Sequence, residues 1–436
     1  MPFVIPVFLI CFLLICHCFA RKRVVYLWTS SFVIWWGSLL CISLLNPFDL
    51  YEVSDEAYFL FLIHIFFYVI GFMSAPSARA AELDAFVFRV CDDSSRIYKS
   101  KIFAAILLVN VAALTLYAYR YVSVISEGGA SDARKARFEI GMGTFSSSYE
   151  IILYEYVLGG LIWFLKFLVA YGICCSKWRN PVWALSFVSC CLYMLIGGGR
   201  LFAIEIGLLI IFIIGAIFCL GVKNDLVKTS YFRTGFFVFL LYLASVFGTF
   251  VRTFSEKISM DGMFAANDIL IEHAVIYFQG SLRAFDFAIH NYTGLFHYSY
   301  GRMTGGGVDE ILTFALRWVG FDVLPYSSFW GVILADPISI GDGQYFNALY
   351  TALFNFYFDL GAVGVVIFSY VFGWFCSAIT SKFAVSGGLG SLFVLSLLYS
   401  VSMLGVLTWK LTQGPIVFTL FSAFVIDHYL QGRPRR

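Results

Sequence analysis

Charge is what this sequence has least of. Asp, Glu, Lys and Arg make up 13% of the 436 residues, about half the share found in a soluble globular domain. That shortage excludes a soluble enzyme, and it excludes a disordered chain, whose composition runs the other way. Basic excess is missing too. The formal net charge is +2, too weak a field for a nucleic-acid partner. The 11 cysteines include no Cys-x-x-Cys pair and no Cys/His ligand spacing, so neither a disulfide framework nor a metal site is expected. Cys11, Cys16, Cys18, Cys41, Cys190, Cys191, Cys219 and Cys376 lie in apolar runs; Cys91, Cys174 and Cys175 are expected in connections. Strand-like alternation is absent as well, which excludes an outer-membrane barrel.

What the chain does have is hydrophobic residues, at 61%, and aromatic ones, at 19%. Covering the hydrocarbon core takes about 20 apolar residues in a helix. Eleven spans are predicted, over 2–20, 24–45, 57–74, 102–125, 149–173, 182–198, 201–221, 231–250, 358–380, 389–409 and 414–431. The fold class is therefore all-α, a polytopic integral membrane protein. The first run has no positive charge before it and Arg21-Lys22-Arg23 after it, the reverse of a cleaved signal peptide, and reads as a retained span with its N-terminus outside. Lys and Arg crowd one set of connections (Arg79, Arg89, Arg96, Lys99 and Lys101; Lys223, Lys228 and Arg233; Arg433, Arg435 and Arg436), which assigns that set to the cytoplasm. Residues 251–343 then fall outside, between spans eight and nine. The domain division expected is 1–250 for spans one to eight, 251–343 for an external loop domain with short helices, and 344–436 for spans nine to eleven.

The loop domain carries twice as many acidic as basic residues and many aromatic ones, Tyr277, Phe278, Phe285, Tyr292, Tyr298 and Trp318 among them. A disordered loop is poor in aromatics, so the segment should fold. Ile269–Ile289 repeats apolar residues at helical spacing and reads as a helix.

Three constellations could carry chemistry. In the first, Gly198, Gly199 and Arg200 precede span seven, where free N–H groups, the helix dipole and a planar guanidinium suit a phosphate. Glu205, one turn further in, is costly there unless it pairs with an arginine or lines a cavity. The second is external arginine. Arg137, Arg252 and Arg283 oppose the charge trend; an anionic ligand or salt bridges within the acidic loop would account for them. The third runs from Asn347 through Tyr350, Thr351, Asn355 and Asp359 to Gly361 and Gly364, with Asp359 expected at the outer rim of span nine. Gly301-Arg302-Met303-Thr304-Gly305-Gly306-Gly307 lacks the lysine and spacing of a P-loop and is set aside.

Two of these segments bear a resemblance. MLIGGGRLFAIEIGLLIIF (194–212) resembles the Gly-Gly-Arg helix head of bacterial O-antigen (oligosaccharide repeat-unit) polymerases. NALYTALFNFYFDLGAVGVVIFSYVFGW (347–374) is similar to their entry into a late span. The resemblance implies a GT-C-like membrane glycosyltransferase in the bacterial inner membrane, with its active site facing the periplasm. Its donor and acceptor would be undecaprenyl-pyrophosphate-linked oligosaccharides, with the growing chain passing to the non-reducing end of a new unit. It implies no nucleotide or metal cofactor, the lipid bilayer as surroundings, and a chain-length regulator as a partner to look for. Arg200, Arg252, Arg283, Asp359 and Tyr350 would carry the catalysis, Asp359 as first choice of base. Gly198, Gly199, Arg137, Glu205, Asn347 and Thr351 would bind substrate. The alternatives are an O-antigen ligase, whose late motif has His and Asn where Tyr350 and Thr351 stand here, and a flippase or other transporter of lipid-linked oligosaccharide.

Overall fold

The structure, a computed structural model of the chain, describes residues 4–19, 23–75, 90, 92–136, 144–175, 177–197, 201–219, 231–253, 260–293, 298–334, 336–346, 350–386 and 388–431. The described residues are almost entirely helical. In chain order the helices are α1 (Val4–Phe19), α2 (Arg23–Leu45), α3 (Asp55–Ser74), α4 (92–99), α5 (Lys101–Ala136), α6 (Ser148–Cys174, with a π-helical stretch at Leu153–Leu158), α7 (Pro181–Gly197), α8 (Leu201–Cys219), α9 (Tyr231–Thr253), α10 (Met260–Asn291), α11 (Gly306–Trp318) and α12 (Tyr326–Ile333). A hairpin of β1 (Ile338–Gly341) and β2 (Gln344–Phe346) follows, then α13 (Ala352–Ser386), α14 (Leu389–Leu404) and α15 (Gly414–Gln431). Among the described residues, five stretches are long and apolar enough to cross a bilayer: Leu27–Leu45, Asp55–Ser74, Lys101–Val124, Ser148–Cys174 and Ala352–Lys382. Several shorter apolar helices accompany them. This is consistent with a membrane protein.

The chain forms two compact units, each assembled from separated stretches. One comprises Met1–Glu82, Ile271–Val385 and Leu398–Val417; the other comprises Leu83–Leu270, Ser386–Leu397 and Phe418–Arg436.

In the first unit α2 places Trp28, Phe32 and Trp36 at four-residue intervals, hence on one face, and all three are buried. From α3, Phe61, Tyr68 and Phe72 meet them, with the Phe32 and Tyr68 rings stacked at 3.8 Å between centroids. Rings this large are useful inside only if their polar ends are paired. Trp28 Nε1 donates to Tyr68 Oη (3.0 Å), the Tyr68 hydroxyl pairs with Ser402 Oγ (3.0 Å), and Trp36 Nε1 donates to the Ser402 carbonyl (3.0 Å). Gly71 and Gly373 let α3 and α13 approach backbone to backbone: a Cβ on either would strike the other helix's carbonyl oxygen, that of Tyr370 or Tyr68. Small residues at such crossings are how apolar helices pack in lipid.

In the second unit α6 packs against α7 and α8, and α5 against α7. The side-chain links are Tyr98 Oη to the Leu168 carbonyl (2.7 Å), Trp183 Nε1 to the Val169 carbonyl (3.0 Å) and Asn110 Nδ2 to Ser189 Oγ (2.9 Å).

The span expected over 102–125 is met by Lys101–Val124, within a helix that runs on to Ala136. Two local expectations change. Cys174, expected in a connection, is buried in the last turn of α6. Residues 338–346 form a hairpin rather than short helix; the Asp342-Gly343 turn is a hairpin signal, and Gly343 takes the left-handed φ of 71° it requires.

Candidate functional site

The head of α13 organises the first unit. Backbone geometry departs from helical at Leu360 (φ −148°, ψ 21°) and Gly361 (φ 65°, ψ −152°), splitting α13 into a short segment ending near Asp359 and a long apolar one. Only glycine tolerates that φ without strain, and a Cβ there would lie 2.8 Å from the Tyr298 hydroxyl. A break strands the last carbonyls of the first segment. Those of Phe358 and Asp359 accept the Ser299 and Tyr300 N–H groups at 3.1 and 3.2 Å. The Asp359 carboxylate, fully buried, accepts from Ser299 Oγ, Met303 N (3.1 Å) and Thr304 N (2.7 Å). An acid at a helix C-terminus opposes the dipole; three donors offset that. Asp359 thus clasps the 299–304 turn to the break instead of standing at an open rim.

That turn forms one wall of a cavity of about 170 Å³. Trp330, Tyr350, Phe354 and Trp409, all buried, contribute its aromatic surface, with Tyr326 beside Arg302; Ser327, Asn355, Thr408 and Thr412 contribute polar groups. The rings brace one another: Tyr350–Phe354 at 4.6 Å and Trp330–Phe354 at 5.3 Å between centroids. Trp409 Nε1 donates to the Thr304 carbonyl (2.8 Å), fixing that ring against the turn. Burial pushes the Tyr350 phenol up from its ordinary value, and Tyr292, hydrogen-bonded to it, adds to the shift. Tyr350 is therefore a neutral hydroxyl at physiological pH.

Arg302 lines the same cavity with a half-exposed side chain. Its Nε and Nη2 reach the two oxygens of Asp309 at 2.8 and 3.3 Å, and its guanidinium lies 5.2 Å from the Tyr326 ring centroid. Nη1 has no hydrogen-bond partner among the described residues. Asp309 is held in turn by the Tyr326 N–H at 2.7 Å.

Arg283, expected at an anion site, is a structural node. Nε donates to the Tyr51 carbonyl (2.7 Å), Nη1 to Ser43 Oγ (3.2 Å) and the Gln279 carbonyl (3.3 Å), and Nη2 to Asn46 Oδ1 (2.9 Å). It is 5% exposed, and burial lowers its pKa. Next to it, Asp286 receives the Ser54 hydroxyl (2.5 Å) and N–H (3.1 Å), and Ser54 is the N-cap of α3. Together they fix the α2–α3 connection to α10.

Glu205, expected to meet an arginine or line a cavity, is paired with Lys166 of α6, both buried. The Lys166 ammonium also lies 4.1 Å from the Trp163 ring centroid. This pair sits in the second unit, among helices α6 and α8.

Of the remaining expected residues, Thr351 is buried and its Oγ1 accepts the Leu353 N–H at 3.2 Å, a helix start for α13. Arg252 is in the last turn of α9, its side chain outside the described residues. Arg137, Gly198, Gly199, Arg200 and Asn347 lie outside them entirely. The structure thus brings Tyr350 and Asn355 to a cavity with Arg302, Tyr326, Trp330 and Trp409, none of which the sequence put forward as a site residue. Comparisons with protein-family models, with curated proteins and with solved structures gave no match.

Proposed function

We propose that this protein is an O-antigen (repeat-unit) polymerase, a GT-C-like glycosyltransferase working at the periplasmic face of the bacterial inner membrane. It transfers a growing oligosaccharide from undecaprenyl pyrophosphate to the non-reducing end of a lipid-linked repeat unit. One observation carries the reading: at the head of α13, in the segment that resembles those polymerases, Tyr350 and Asn355 line a cavity with aromatic walls and hydroxyl-bearing side chains. Sugars present apolar ring faces and many hydroxyls, and such sites bind them with stacked rings and a few placed polar groups. Tyr350, its phenol engaged by Tyr292, offers a substrate hydroxyl its oxygen as an acceptor. Asp359 keeps the cavity wall in place through the 299–304 turn. With the late-motif His and Asn of the ligases replaced by Tyr350 and Thr351, the polymerase reading is favoured over ligase.

The test is the polysaccharide banding pattern of a strain lacking the gene. Loss of long chains, with single repeat units still on the lipid A core, supports the polymerase. Bare core supports a ligase instead, and an unchanged ladder removes both. Reconstituted protein that elongates lipid-linked units without an ion gradient excludes a transporter.

A further inference from the structure

Resting on that reading, we infer that the cavity at the head of α13 is a subsite for one hexose ring bearing an adjacent anionic group, and that Arg302 at its mouth binds the anion. The room is right. A water's share of liquid volume is about 30 Å³, so a cavity of about 170 Å³ takes on the order of six, room of the order of one sugar ring. The walls are right, with Trp330, Trp409 and Tyr350 among the lining rings and Asn355 and Thr408 among the lining polar residues.

The guanidinium is poised. Asp309, the Leu324 carbonyl and the Tyr326 ring hold it in place while Nη1 stays uncommitted, so an arriving phosphate or carboxylate gains a preoriented donor at little ordering cost. The surroundings of the mouth agree. Arg302 leads into α11, whose inward side is Gly306, Gly307 and Thr313 and whose outward side is Val308, Leu312, Leu316 and Trp318. That is the reverse of a helix facing water, and it suits a helix lying along acyl chains. A glycosyl diphosphate lipid presents its sugar, its charge and its hydrocarbon in the order cavity, Arg302, α11.

The experiment is calorimetric titration of the full chain in lipid nanodiscs with four probes: a farnesyl-diphosphate-linked hexose, a hexose 1-phosphate, glucuronate and glucose. Both phosphate-bearing probes and glucuronate should bind more tightly than glucose, and Arg302→Ala should raise their Kd about tenfold or more while leaving glucose unmoved. Preference for the phosphates assigns the anion to the lipid head; preference for glucuronate assigns it to an acidic sugar of the repeat unit. Arg120→Ala in the other unit removes a comparable partly exposed ion pair, with Glu150, and should leave every Kd unmoved, which controls for the loss of an arginine as such. Equal binding of glucose and the anionic probes, or no change in Arg302→Ala, overturns the subsite. The polymerase is read separately. Selective binding with an unchanged ladder in the deletion strain keeps the subsite and discards the polymerase; a lost ladder with binding indifferent to Arg302 does the reverse.

Discussion

Two arginines in the same unit show how position within a fold divides one residue type into two jobs. Arg283 is buried and spends Nε, Nη1 and Nη2 on protein acceptors. Arg302 is half exposed, is held by one carboxylate, the Leu324 carbonyl and an aromatic face, and keeps Nη1 in hand at the edge of a cavity. The first joins the α2–α3 connection to α10. The second can meet a ligand without the fold coming apart. Among the described residues, Arg283, Asp359 and the Lys166–Glu205 pair are buried charges whose partners serve the fold.

That contrast is sharpest under mutation. The largest effect is expected at Lys166. Replacing it with Ala takes the ammonium away from the buried Glu205 carboxylate, and breaking a buried pair costs about 3–5 kcal/mol. The double replacement Lys166→Met, Glu205→Leu should recover most of that. Thermal unfolding in detergent reads both, and a double variant no better than the single would mean the pair does more than neutralise itself.

Asp359 comes next. Asp359→Ala strands the Met303 and Thr304 N–H groups and the Ser299 hydroxyl, at about 3 kcal/mol or more in total, and should shift the unfolding midpoint and the elongation rate together. Asp359→Asn keeps one acceptor oxygen and should fall between. Full stability with abolished elongation in Asp359→Asn would return this residue to the role of base.

Arg283→Ala should cost about 2–3 kcal/mol through its stranded acceptors, and Arg283→Lys should restore little of it. A lysine lacks the planar fork that reaches Tyr51, Ser43 and Asn46 at once. Rescue by lysine would make Arg283 a simple point charge and move it closer to Arg302 in kind.

Much of the helical fold was legible in the sequence because its signals are local. Apolar length gives the long helices, and the 3.6-residue period gives Ile269–Ile289, which lies inside α10. The site was legible in part. Tyr350 and Asn355 were found through the segment that carries them. The clasp at Asp359 was not, since a helix break looks like one continuous apolar run until Gly361 is seen at positive φ. Arg302 was set aside for a sound reason, the absence of a P-loop, and the reason did not bear on what it does. Trp330 and Trp409 reach the cavity through contacts remote in sequence, and apolar periodicity does not distinguish a ring that fills a core from one that walls a cavity.

Arg302 closes the series with the smallest expected effect on stability. Its ion pair with Asp309 is partly solvated, and such pairs contribute up to about 1 kcal/mol. Arg302→Ala should therefore unfold almost with the unaltered protein, measured by the same thermal scan, while its elongation rate falls by an order of magnitude or more if the guanidinium meets the transferred charge. The opposite pattern, a large loss of stability with the rate per folded molecule unchanged, would make Arg302 a second Arg283. The comparison would then collapse into one class of structural arginine.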